Sequence, residues 1–296
     1  MAFRLKTGEA VSSDIRRIVL QQLDRATSEL TAIGDPESDQ AIHDARRRVK
    51  KIRAIIRLVR PVLDKAHRAD PQLRRVSKLL APVADGQGVI DTLNVLLKRY
   101  RRELPRKTAA AIREGLIDRS RQIDSKAHKD GVLEKAQTTL REERRRVKRW
   151  RLSAEGFHAL APGLRASVRR ARFAMMNACL RPTAQHHHTW RRHVKNHWFH
   201  VRLLGARCGY RLVPYQRQLE ALDGILGEYH NLVLLHEVLV SDSTLSQLEI
   251  TRCLRIVQRY QAELRRQAQM LGIRIYSEKP RRFVRRVREL WDAHQP

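Results

Sequence analysis

Apolar residues recur at intervals of three and four along nearly the whole chain, while the period-two alternation of a half-buried strand hardly appears. At about 100° of rotation per residue, such intervals keep the apolar side chains on one side of a helix. The fold class that follows is all-α. The pattern is interrupted at residues that stop helices: Gly34 to Pro36, then Pro61, Pro71, Pro82 with Gly86 and Gly88, Pro105, Gly131, Gly156, Pro182, Pro214, Gly272 and Pro280. Roughly a dozen helices result. At the first break Gly34 suits the left-handed position that ends one helix, Asp35 can cap the next, and Pro36 stands in its first turn, where a missing N–H costs nothing. A tight helical hairpin is expected there.

No Ser/Gly-rich or Pro-rich linker divides the 296 residues, and a 42% hydrophobic content is ample for a core. One domain spanning 1–296 is expected, with an N-terminal helical lobe of about 8–152 and a C-terminal lobe of about 153–296 meeting near "WRLSAEG" (150 to 156). Cys179, Cys208 and Cys253 are odd in number, far apart and without a CxxC, which fits a reducing compartment better than a disulfide framework or a thiolate metal site. The opening "MAFRLKTGEA" has no apolar core of the kind a secretion signal carries, and no uncharged apolar stretch approaches a membrane span. A soluble cytoplasmic protein with no membrane partner is the expectation.

Sixty-one Lys and Arg stand against thirty-one Asp and Glu, a formal charge of +30. That imbalance favours a polyanionic partner (nucleic acid, an acidic membrane or polymeric phosphate) and makes the unliganded protein repel itself. The charge is concentrated in places. "HDARRRVKKIRAIIRLVRP" (43 to 61) packs eight cationic side chains and a histidine beside one acid, yet keeps regularly placed aliphatics.

This stretch has a counterpart. Aligned without a gap on "HTWRRHVKNHWFHVRLLGA" (188 to 206), it pairs His43 with His188, Arg46 with Arg191, Arg47 with Arg192, Val49 with Val194, Lys50 with Lys195, Arg57 with Arg202 and Leu58 with Leu203. Basic composition makes chance matches easy, so shared helix faces are the stronger test. Ile42, Ala45, Val49, Ile52, Ile56 and Val59 form a heptad-like seam, and its counterpart runs Trp190, Val194, His197, Val201 and Leu204, interrupted in character only by the histidine. His43, Arg46, Arg47, Lys50, Arg53 and Arg57 form a second stripe centred about 120° away, as do His188, Arg191, Arg192, Lys195 and Arg202. A weaker echo follows each copy, "DTLNVLL" (91 to 97) and "HNLVLLH" (230 to 236). A duplicated helical unit could fold as two bundles about an approximate two-fold axis, with the cationic edges facing each other.

A run of Lys and Arg is more often a solvated face. "REERRRVKRWR" (141 to 151) and "RRFVRRVREL" near the C-terminus, where acids stand among the bases, are read that way. The stripe at 43 to 57 lacks such local compensation, and between Glu155 and Glu220 no acidic residue occurs at all. Like charges at one-turn spacing raise the free energy, so an external anion is the expected compensation. Arginine can fork two oxygens of a phosphate, and a protonated histidine can donate from both ring nitrogens. Arg16, Arg17, Arg74, Lys78, Arg252, Arg255 and Arg259 are further candidates to complete the groove.

The pattern H-x-x-R-R-x-x-K at 43 to 50 and again at 188 to 195, each followed by a leucine-rich echo, resembles the CHAD (conserved histidine α-helical domain) family over nearly the whole chain. The resemblance implies two helical bundles related by pseudo-two-fold symmetry, with a central basic groove or pore that holds inorganic polyphosphate, in some members on polyphosphate granules. It marks His43, Arg46, Arg47, Lys50, Arg53, Arg57, His188, Arg191, Arg192, Lys195 and Arg202 as expected ligands. Trp198 stands where the first copy has Arg53, and Asn196 opposite Lys51, so the second half offers a less basic edge. The family's Arg-Asp pair is replaced by Asp91-Thr92 and His230-Asn231, and no E-x-E-x-K strand of a triphosphate-tunnel catalytic domain is present.

An enzyme acting on polyphosphate would need metal-holding carboxylates, a P-loop or a positioned nucleophile; G-x-x-x-x-G-K-[ST] is absent and the basic zone has no acidic cluster, so no catalysis is expected. His186, His187, His188, His193, His197 and His200 lie close in sequence, and His193 with His197 has metal-pair spacing, but neither H-E-x-x-H nor a nearby carboxylate completes a site. No metal or other cofactor is expected. Sequence-neutral nucleic-acid binding is the alternative function. Against it stand an aromatic content of 5%, few stacking platforms, and a channel too narrow for a duplex about 20 Å across.

Overall fold

The computed structural model describes residues 3–31, 38–64, 66–241 and 247–294. Among them the only strand-like feature is an isolated bridge between Leu63 and Leu152. The helices are α1 (Val11–Thr31), α2 (Ser38–Val59), α3 (Ala66–Leu79), α4 (Ala81–Arg99), α5 (Arg106–Lys129), α6 (Val132–Val147), α7 (Gly156–Leu180), α8 (Ala184–Leu204), α9 (Val213–Ser241), α10 (Gln247–Tyr276) and α11 (Pro280–Asp292), with a 3-10 turn at Tyr210–Leu212. The all-α expectation holds. The hairpin read at Gly34 to Pro36 lies outside the described residues.

Helix α2 is the axis of the molecule, packed by α1, α3, α4, α7 and α8. Every residue of its sequence-derived seam is buried, from Ile42 to Val59, and Ala54, Ile55 and Leu58 are buried too, so its C-terminal half is enclosed on more than one side. The α8 seam is likewise buried from Trp190 to Leu204, including His197. That histidine sits among aromatic rings, its Nδ1 3.3 Å from the Tyr276 hydroxyl and its ring packed edge-on to Tyr215 and Phe283. His193 lines a cavity, while His197 lies in the core.

Among the described residues, two apolar clusters fill the interior. The larger runs through α1, α2, α3, α6, α7, α8 and α11 and takes in the N-terminal parts of α4 and α9 and the C-terminal part of α10. The smaller joins the C-terminal part of α4 and α5 to α9 and α10, with Leu93, Leu96, Ile112, Leu232, Leu235, Val257 and Leu264 among its members. No described helix is long and apolar enough to cross a membrane.

Several residues read as helix stops are interior instead. Pro71 lies within α3, Gly86 and Gly88 within α4, and Gly272 within α10. At Gly272 the reason is proximity: a Cβ there would stand 2.5 Å from the Trp190 ring and 3.0 Å from Met175 Sδ, so glycine admits the indole rather than ending the helix. The tightest approach is at Gly163, where α7 lies directly on the α2 backbone and an added Cβ would come within 1.7 Å of the Leu58 carbonyl oxygen.

Candidate anion-binding site

Burying the seams of α2 and α8 leaves the second stripe of each helix to be placed, and the two helices are in contact. At their junction Lys50 has Arg46, Lys195 and Arg191 as its charged neighbours, with Asp85 the opposing charge. Two cations from each helix thus meet in one partly buried cluster. Burial and then those three like charges drive the Lys50 ammonium well below its ordinary pKa. The Lys195 ammonium and Arg191 guanidinium are lowered mainly by burial, with Asp223 the first opposing influence on each.

His188 belongs to this cluster: its ring packs 4.8 Å from that of His230, and Arg191, Arg192 and Lys50 act on it. His43 stands beside Lys50, Arg46 and Arg47 at the rim. Both histidines are partly desolvated and lowered from their usual pKa, burial first and cations second, and both have Lys50 as a charged neighbour. They do not face opposite sides of the molecule.

The remaining expected ligands divide onto two flanks. On one, Arg53 Nε donates to Asp70 Oδ1 at 2.8 Å, Arg57 reaches the same oxygen at 3.4 Å and Asn196 Oδ1 at 3.1 Å, and Arg192 is a charged neighbour of Arg53 and Arg57. On the other, Arg47 and Arg202 flank the buried Lys51. Lys51 is about 200° of helical rotation from Arg53, so these are separate surfaces. Of the further candidates, Arg74 is beside Arg192. Arg16 instead donates to the Trp150 carbonyl, Arg17 is held by Asp14, and Arg259 pairs with Glu103 over the Tyr100 ring.

One expectation needs correction. The α2 stripe is not free of acids: Asp44 of the same helix and carboxylates of other helices reach it. Asp85 of α4 takes both terminal nitrogens of Arg46, the longer contact 3.3 Å; Asp70 of α3 takes Arg53 and Arg57; and Asp44 takes Arg47 at 2.8 Å. In the α8 stripe, Asp223 of α9 holds Lys195 at 3.0 Å. Compensation in the central cluster is partial, two carboxylates among four cations.

Asp85, Asp223 and Asp70 escaped the sequence reading, and His230 entered it only as a departure from the family pair. For two of them there was a signal: Asp85-Gly86 and Asp223-Gly224 each precede the leucine-rich echo by six or seven residues, so extending that echo backwards finds both carboxylates. His230 is the residue that replaces the arginine of the family pair, and it lies in the cluster; burial and then Arg191 and His188 bring it down to about 3. Asp91, which replaces the same arginine in the first copy, is on the surface and accepts from Gln87 at 2.9 Å.

Comparison with known proteins agrees with this architecture. PptA from Streptomyces chartreusis matches with a TM-score of 0.65 at 13% identity, over 91% of this chain and 100% of that one, a likeness of fold. No curated protein sequence matches the chain. The family model for the CHAD domain matches residues 17–240, which include both basic helices and both leucine-rich echoes. With the family's doubled motif folded into a single cluster, the chain belongs to the CHAD domain family.

Proposed function

We propose that the protein binds inorganic polyphosphate, without transforming it, in the basic groove where α2 and α8 meet, and that it resides on polyphosphate granules. The observation that carries the reading is the convergence of Arg46, Lys50, Arg191 and Lys195 at a partly buried junction that two carboxylates leave under-compensated. A threadlike anion relieves the mutual repulsion and restores the charged state that burial disfavours. Each charge-assisted contact contributes about 1.5–3 kcal/mol before desolvation and ordering costs, so a handful reaches micromolar affinity. His43 and His188 stand at the cluster ready to take up protons once phosphate lies beside them.

The position of the carboxylates favours binding over turnover. Asp85 and Asp223, which a hydrolase would need for water activation or metal binding, are engaged by Arg46 and Lys195. The deciding measurement is competition at fixed salt: long-chain polyphosphate should displace labelled polyphosphate at least tenfold better than duplex DNA at equal phosphate concentration, as a groove between two helices requires. Equal displacement by the duplex would transfer the assignment to nucleic acid.

A further inference from the structure

Beside the central cluster, α2, α7 and α8 enclose a cavity of about 250 Å³ lined by Arg57, Arg60, Arg170, Arg192, Ser167 and His193. It has room for about eight water molecules at ~30 Å³ each, below the usual size of an organic-ligand pocket. Four guanidinium groups line it, from α2, the turn that follows α2, α7 and α8, and no acidic side chain does. Arg57 shares Asp70 with Arg53, and among the described residues no carboxylate pairs with Arg60, Arg170 or Arg192.

The cavity is blind on one side. Gly163 is in its wall, and there α7 rests on the α2 backbone so closely that not even a methyl group fits against Leu58. A phosphate thread crossing the junction cannot continue between those helices. The corresponding place on the other flank is plugged: Lys51 lies over the Phe3 ring at 5.5 Å, Arg202 over the Trp198 ring at 5.7 Å, and Trp198 stacks on Phe199. The replacement of an arginine by Trp198 in the second copy thus coincides with one closed flank and one open, arginine-lined flank.

We infer that this cavity is a separate end-of-chain site that receives the terminal phosphate of a short or long phosphate chain. The inference rests on the polyphosphate reading above. A terminal group carries three unbridged oxygens and the larger charge, where an internal one has two, and so suits several arginine forks converging on a dead end. The wall also holds a donor with unused capacity: Ser167 Oγ is buried without a partner. His193, brought down to about 4 by burial and by Arg192, Arg170 and Arg57, is neutral in the empty cavity and adds no further repulsion.

Inorganic pyrophosphate, which is all ends, and cyclic trimetaphosphate, which has none, are the probes, measured by calorimetry on the full chain. Pyrophosphate should bind at least about tenfold more tightly than trimetaphosphate, and also more tightly than orthophosphate; Arg60→Ala with Arg170→Ala, both at exposed positions, should weaken it by about tenfold or more. Arg46→Ala with Arg191→Ala should change pyrophosphate affinity by less than about threefold while lowering long-chain affinity by more than about tenfold. Equal affinity for the cyclic and linear probes, tighter orthophosphate binding, or insensitivity to the Arg60 and Arg170 changes overturns the inference. Loss of long-chain binding alone, with the pyrophosphate pattern intact, would sink only the groove assignment and leave this site standing.

Discussion

His197 sits in an environment far from what its chemistry prefers in water. Enclosed by Tyr215, Tyr276 and Phe283, it is brought down from 6.5 to about 3, burial being the first cause and His200 the second. Its folded pKa lies below its unfolded one, so the unfolded chain binds the extra proton between those values. Stability is therefore fully present above pH 6.5 and is lost as the pH falls towards 3. At pH 5 the cost is about 2 kcal/mol from this residue alone. His200, brought down to about 4, adds to it in the same direction. His197→Phe, which keeps a ring and removes the proton, should flatten the fall in melting temperature between pH 7 and pH 5 relative to the native protein. An equal or steeper fall would assign the acid sensitivity to other groups.

Between elements, the governing feature is how closely backbones approach. Gly163→Ala should destabilise the protein by about 3 kcal/mol or more, because neither α7 nor α2 can yield where a Cβ would stand 1.7 Å from a carbonyl oxygen. Gly224→Ala in α9, where nothing lies within 4 Å, should be neutral or stabilising by up to about 1 kcal/mol. Urea midpoints of the two variants check the contrast. The same physics decides what was legible in the sequence. The seams of α2 and α8 were, since period and burial are properties of one segment. Gly86, Gly88 and Gly272 were misread as helix ends because a glycine that ends a helix and one that admits a neighbouring side chain look alike until the neighbour is known. The cationic partners in the central cluster were readable from the repeat. Asp85, Asp223 and Asp70 were not read, because each reaches the stripe from another helix and its pairing is set by packing, not by spacing along the chain.

For the molecule as a whole, the charge of +30 makes two opposite responses to salt follow from one cause. Without ligand, added salt screens the self-repulsion over a Debye length of about 10 Å at 0.1 M, so the melting temperature should rise between 0.05 and 0.3 M NaCl. With polyphosphate, the same salt opposes binding, because released counterions must be returned to the polymer. The slope of log K against log salt counts phosphates neutralised at the site, at about 0.7 for each contact on a single strand, and not the total charge. With four central cations and the arginines on the open flank, a slope of roughly −3 to −6 is expected. Arg46→Ala should make it shallower by about one unit, whereas Arg145→Ala, on the exposed face of α6, should leave it unchanged. A slope well beyond ten, equally reduced by both variants, would mean that the polymer wraps the whole basic surface and that the junction of α2 and α8 holds no privileged place on it.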